Sequence, residues 1–164
     1  MINKIENLKN YLKNIPNLEV IDNYSDVKRL SRDFYNYSPI LQKKLDGCLA
    51  DVVVRPKNID SLLAISKICW DLSIPLTIRG GGTGDYGQAV PLAKGIVLQM
   101  NYFNKLERYY PDSGFVKVQS GCLMGDLNRE LGKYGRELRL FPSTWKTASI
   151  GGFIAGGSGG IGSI

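Results

Sequence analysis

The sequence predicts an α+β fold, a small sheet of mixed strand direction flanked by helices, with glycine loops gathered at one end of the strands. Three observations carry that reading. Apolar residues recur at helical spacing in three separate segments, and short β-branched or apolar runs closed by proline or glycine lie around them. Two glycine-dense stretches, one after a strand near residue 80 and one from about residue 150, interrupt the pattern.

Taken in order, Ile2, Ile5, Leu8, Leu12 and Ile15 fall at spacings of three and four, which predicts an amphipathic helix ending before Pro16. Leu18 to Ile21 is a short apolar strand candidate. The polar, tyrosine-rich stretch from Asp22 to Pro39 reads as an irregular connection without evident chemistry. Asp51-Val52-Val53-Val54-Arg55-Pro56 has the β-branched run of a buried strand, stopped where the residue before proline is pushed out of the helical region. Asn58 is placed to cap a helix whose stripe is Leu62, Ile65, Cys69 and Leu72, so Cys69 belongs to a core. Ile74 to Ile78 is the next strand, Ile96 to Met100 another and Phe115 to Gln119 a fourth with alternating character. Leu123, Leu127, Leu131 and Tyr134 mark a last helix, ended by Gly135, and strand character returns toward Leu140-Phe141-Pro142.

Composition narrows the function classes. The 164 residues, 43% hydrophobic and 22% charged, suit one globular domain with a sizeable core in spite of 19 glycines. No apolar run reaches the ~18 residues of a membrane-spanning helix, and the N-terminus lacks a signal peptide's apolar centre. A cytoplasmic location is the expectation. The three cysteines, Cys48, Cys69 and Cys122, are odd in number and lack CxxC spacing, which predicts reduced thiols and no metal site. Histidine is absent, so imidazole bases, Ser-His triads and histidine ligands cannot come from this chain. The net charge of +6 is spread among acids with no basic run of five or more, which argues against a dedicated nucleic-acid face.

The chemistry-bearing stretch is Ile78-Arg79-Gly80-Gly81-Gly82-Thr83-Gly84-Asp85-Tyr86-Gly87-Gln88-Ala89-Val90-Pro91. Glycines free of a Cβ let successive N–H groups converge on one anion, so the loop reads as a phosphate cradle. Gly82-Thr83-Gly84-Asp85-Tyr86-Gly87 is a literal G-x-G-x-x-G after a strand, the opening of a Rossmann fingerprint. The fingerprint needs a crossover helix directly behind it, and Gln88 to Gly95, with a proline inside, leaves no room for one. A Walker loop is also ruled out, because no Gly-Lys-Ser/Thr closes the stretch. The anion is therefore expected on loop amides with no helix following. The second cluster, Pro142 through Ser149-Ile150-Gly151-Gly152 to Gly160, again removes side chains where something must lie close to the backbone.

These blocks carry a resemblance. In order, Val52-Val53-Val54-Arg55-Pro56, the loop Arg79-Gly80-Gly81-Gly82-Thr83 with Gly87 and Pro91, Val118-Gln119-Ser120-Gly121-Cys122, and Pro142 to Gly160 resemble the FAD-binding domain of the vanillyl-alcohol oxidase and p-cresol methylhydroxylase (PCMH) flavoenzyme family. Within it they are most similar to the FAD-linked oxidases that include glycolate oxidase and D-lactate dehydrogenase. The resemblance implies a PCMH-like domain, with residues 1–50 as a helical lead-in and 51–164 as the N-terminal part of the FAD-binding domain. It implies that Gly80, Gly81, Gly82, Thr83 and Gly84 wrap the FAD pyrophosphate with amides and the Thr83 hydroxyl, and that Gln88 completes the wall. It places Pro142, Ser143, Ser149, Gly151, Gly152, Gly156, Ser158 and Gly159 along the ribityl chain and toward the flavin ring. Relatives that tether FAD use a histidine in or near the first loop or a cysteine in the second block; Thr83, the absence of histidine and the lack of a cysteine after Cys122 imply noncovalent FAD.

The expected activity is oxidation of a substrate C–H bond by hydride transfer to FAD, the small-molecule substrate being a 2-hydroxy acid such as glycolate or D-lactate. The family's substrate or cap domain supplies most catalytic groups, so no catalytic residue is named within residues 1–164. Because the chain stops at Ile164 inside a glycine-rich segment, the FAD domain is expected to be incomplete at its C-terminus. The site would then be finished by a C-terminal substrate domain or by a second chain. The alternative is a non-catalytic module, either a truncated FAD- or nucleotide-binding fold or a subunit that needs a partner chain.

Overall fold

The computed structural model describes residues 2 to 162, with the side chains of Ile2, Asn3 and Lys4 outside the description. The side chain of Ile2 on the first apolar stripe thus lies outside the description, and Ile164 lies outside the described residues. The larger sheet has four strands in the order β1-β2-β4-β3, where β1 is Leu18–Ile21, β2 Val52–Pro56, β3 Leu76–Arg79 and β4 Ile96–Gln99. β1 runs antiparallel to β2, while β2, β4 and β3 are mutually parallel, so the sheet is mixed as expected. A separate antiparallel hairpin joins β5, Leu106–Tyr110, to β6, Phe115–Val118.

Alternation along β2 explains its unbroken apolar run. Successive side chains point to opposite faces, and here both faces are covered. On one face Val52 and Val54, with Ile96 and Leu98 of β4, meet Leu8 and Leu12 of helix α1 (Ile2–Lys13) and Ile65 and Cys69 of α4 (Ile59–Asp71). On the other face Val53 and Val97 meet Val27 and Leu30 of α2 (Tyr24–Leu30). Each fully buried Leu or Ile contributes roughly 1.5–3 kcal/mol, which makes this two-sided sandwich the main source of stability. α4 begins where expected: the Asn58 side chain accepts from the Ser61 amide at 2.9 Å and a capping box is complete.

A third cluster sits on the hairpin. Leu127 and Leu131 of α5 (Met124–Gly132) pack with Cys122 against Leu106, Tyr109, Val116 and Val118. Tyr134 lies beyond the helix, its ring 4.8 Å from that of Tyr109, and Gly135 takes φ +66 in the turn that follows.

Three expectations change. The stretch from Asp22 to Pro39 is ordered: α2 is capped by Asn23, a 3₁₀ turn spans Tyr35–Tyr37, and Pro39 starts α3 (Pro39–Leu45) behind its cap Ser38. The strand expected near Leu140-Phe141-Pro142 reduces to one bridge between Phe141 and Ile161, because proline brings no N–H to a ladder. Ile150–Ala155 within the second glycine block forms a short helix, α6, with Ser149 as its N-cap.

Candidate functional site

The chain leaves the edge strand β3 at Arg79 and returns to the sheet at Ile96 without a helix, as the proline-bearing stretch dictated. Within this crossover the amides of Gly80, Gly81, Gly82, Thr83, Gly84 and Asp85 donate to no acceptor among the described residues. Six consecutive N–H groups left without an acceptor in a glycine loop are a donor set that an anion can engage. The loop is held from outside: the Phe34 N–H donates to the Gly84 carbonyl at 2.7 Å, and the Tyr86 N–H donates to Gln88 Oε1 at 3.1 Å.

The second glycine block is tied down by the third motif. Met124 N–H donates to Ala148 O, Ile150 N–H to Cys122 O and Gly151 N–H to Ser120 O, all at 2.8–2.9 Å. Residues 120–124 are anchored in turn by the Gly121 N–H on Phe103 O at 2.8 Å. This strut presses the two glycine stretches together. A Cβ on Gly80 would overlap the Ser149 hydroxyl, so glycine is required there by the protein's own packing. Gly82 takes φ +68, and a Cβ there would run into the Arg79 guanidinium behind it.

Between the two stretches lies an open cleft of about 420 Å³, within the usual range for small-molecule and cofactor sites. Of the residues expected at the cofactor, Gly80, Gly81, Gly82, Thr83, Gly84 and Gln88 line one wall, and Pro142, Ser143, Ser149, Gly152, Gly156 and Ser158 the other. Gly151 instead packs on Ser120, and Gly159 lies outside the cleft lining. The cleft also takes in residues not singled out as cofactor contacts: Ile78, Asp85 and Tyr86 within the first stretch, Thr144 and Phe153 within the second, and Asp33. Tyr86 and Phe153 are the aromatic residues within the two glycine stretches. Asp33 carried no signal, being one polar residue in a polar stretch.

Asp33 is 7% exposed; its Oδ1 accepts from the Tyr35 amide at 2.9 Å, and its buried Oδ2 has no hydrogen-bond partner among the described residues. Arg79, 8% exposed, donates from its guanidinium to the Arg32 carbonyl at 2.5 Å, leaving Nε without a partner. Burial lowers its pKa from the usual arginine value, and the Asp33 carboxylate opposes that shift. Cys69 and Cys122 are pushed up by burial, the latter also by Asp126 and Glu130, and neither lines the cleft. Among the described residues no group of three His, Cys, Asp or Glu side chains could hold a metal, and no helix is long and apolar enough to cross a membrane.

Fold and cleft together define a class: an α+β domain in which a glycine loop with unengaged amides and a wall of small residues line one cleft. The family described as FAD binding domain matches residues 50–164. The chain belongs to that family, and FAD is its cofactor. The cleft fits the group, since residues 80–85, whose amides have no acceptor among the described residues, line its first wall. Curated relatives include the D-lactate dehydrogenase of Archaeoglobus fulgidus, 36% identical over 67% of this chain and 24% of that protein. Glycolate oxidase subunit GlcD of Escherichia coli (strain K12) is 33% identical over 67% of this chain and 22% of its own length. The chain thus spans about a quarter of the length of these relatives. Among solved structures, alkyldihydroxyacetonephosphate synthase superposes with TM-score 0.76 at 18% identity, over 98% of this chain and 32% of the other. The Physcomitrella patens BBE-like 1 variant D396N gives 0.70 at 16%, over 89% of this chain and 30% of the other. Both share the PCMH-type fold expected from the sequence.

Proposed function

We propose that the chain is the pyrophosphate- and ribityl-binding portion of an FAD-dependent oxidoreductase that oxidises a 2-hydroxy acid of the glycolate or D-lactate kind. The observation that carries the reading is the run of six unengaged amides from Gly80 to Asp85 in the loop that lines the cleft together with residues of 142–158. The loop amides and the Thr83 hydroxyl hold the pyrophosphate oxygens; Ser143, Ser149, Gly152, Gly156 and Ser158 give the ribityl chain small and hydroxylated neighbours. Ile78, Tyr86 and Phe153 shield the cofactor from water. Bound FAD supplies the hydride acceptor: the substrate's 2-carbon gives up a hydride and its hydroxyl a proton, leaving a 2-oxo acid. The substrate class comes from the relatives, among them a D-lactate dehydrogenase and a glycolate oxidase.

Attachment is noncovalent in this reading, because the chain has no histidine and its three cysteines lie outside the cleft. A C-terminal substrate domain or a second chain supplies the base and the substrate's carboxylate anchor. Titrating the chain into FAD while following flavin fluorescence tests the cofactor site; the expected result is saturable quenching, with all flavin released on acid precipitation. Absence of quenching overturns the reading, and flavin that stays with the precipitate overturns noncovalent attachment. Full-length protein reducing a dye acceptor with glycolate or D-lactate tests the substrate class.

A further inference from the structure

A pyrophosphate brings two negative charges, and the cleft wall offers none of the opposite sign: its charged lining residues are Asp33 and Asp85, with no lysine or arginine among them. The nearest guanidinium is hidden. Arg79 sits behind Gly82, so close that a single Cβ there would overlap its terminal nitrogens. Two other arginines of the sheet region are paired with carboxylates, Arg55 with Glu19 and Arg32 with Asp46, each at 2.8 Å. Arg79 has no carboxylate within ion-pair distance among the described residues, and its guanidinium is held by the Arg32 carbonyl instead. A buried cation without an ion-pair partner is costly, and an anion on the far side of a side-chain-free wall offsets that cost.

We propose that Arg79 is a positioning residue for the cofactor's pyrophosphate, its charge acting through Gly82 from behind the loop, with the Asp33 carboxylate moderating it. The proposal rests on the FAD reading above and adds to it one residue behind the loop, Arg79, and one in the cleft lining, Asp33. Glycine at position 82 has a role here beyond its positive φ: it keeps the wall between guanidinium and phosphate thin. Because an interaction between charges in a partly buried site is worth about a tenfold change in affinity or more, the two residues should act in opposite directions.

The test compares FAD with riboflavin, which has the same ring and ribityl chain without phosphate, on the full chain. Arg79→Gln should weaken FAD by about tenfold or more while leaving riboflavin within about twofold, and Arg79→Lys, which keeps the charge, should recover most of the loss. Asp33→Asn retains the oxygen that accepts from Tyr35 and should tighten FAD several-fold. Equal losses for FAD and riboflavin in folded Arg79→Gln, or weaker FAD binding in Asp33→Asn, would overturn the proposal. If circular dichroism shows Arg79→Gln unfolded, the Asp33→Asn result decides by its sign. A wild-type chain that binds neither ligand instead refutes the FAD reading itself, a result distinct from either.

Discussion

Gly82 shows how much can depend on a missing atom. Its φ of +68 is a backbone region that alanine enters only at a cost, and the added Cβ would also meet the Arg79 guanidinium. Gly82→Ala should therefore lower stability by about 1–3 kcal/mol and reduce FAD affinity more than riboflavin affinity, as read by thermal melts and flavin titrations. Wild-type affinity in that variant would show that the loop is softer than its packing implies. Thiol chemistry gives a second test at this scale. Burial raises the pKa of Cys69 and Cys122, so less thiolate is present at a given pH. At a pH of about 8, near the ordinary thiol pKa, a disulfide-forming dye should label half-buried Cys48 first, and the two others should react slowly, faster as pH rises. Rapid labelling of all three would mean that the cores around α4 and α5 open readily.

Elements were legible where their pattern was long or their caps distinctive. The helix from Ile59 announced itself through Asn58 and a stripe at helical spacing, and its capping box is complete in the structure. Asn58→Ala should cost about 1 kcal/mol and a few degrees in melting temperature, with FAD affinity unchanged because no residue of α4 lines the cleft. A changed affinity would show that the helix and the cleft are coupled. The elements that escaped are short or compositionally masked. α2 and α3 have seven residues each, too few for a period to emerge from a polar, tyrosine-rich background. β5 reads Leu-Glu-Arg-Tyr-Tyr, two charges in succession where alternation was sought, and its pairing also contains an irregular register. α6 carries two glycines in six residues, which argue for loop on propensity; the Ser149 cap, accepting from Gly152 N–H at 3.2 Å, and the bonds to residues 120–124 override it. Most of the site could be read because cofactor loops announce themselves by glycine. The burial of Arg79 and Asp33 beside the cleft could not, since it is set by tertiary packing.

At the scale of the molecule the cleft joins two separately packed regions. The 80–89 wall extends from the four-stranded sheet with its two-sided core, while the 142–158 wall hangs on α5, the hairpin and the strut of residues 120–124. The two walls meet where Gly80 fits against Ser149 and Gly81 against the Thr147 carbonyl, contacts made by small groups across a narrow seam. A ligand that spans the seam must then stabilise both regions at once, by an amount fixed by its occupancy: about 2.7 kcal/mol at a concentration one hundred times Kd. Hydrogen exchange locates that effect. With FAD bound, amides from Gly80 to Asp85 acquire an acceptor, and exchange should slow there and across 148–158 together. β2 and β4, already buried on both faces, should show little local change. Adenosine monophosphate and riboflavin added together occupy the two walls without a covalent link between them and should protect each more weakly than FAD does. Protection confined to one wall, or equal protection by the two separate halves, would mean that the cleft does not act as a single dinucleotide site.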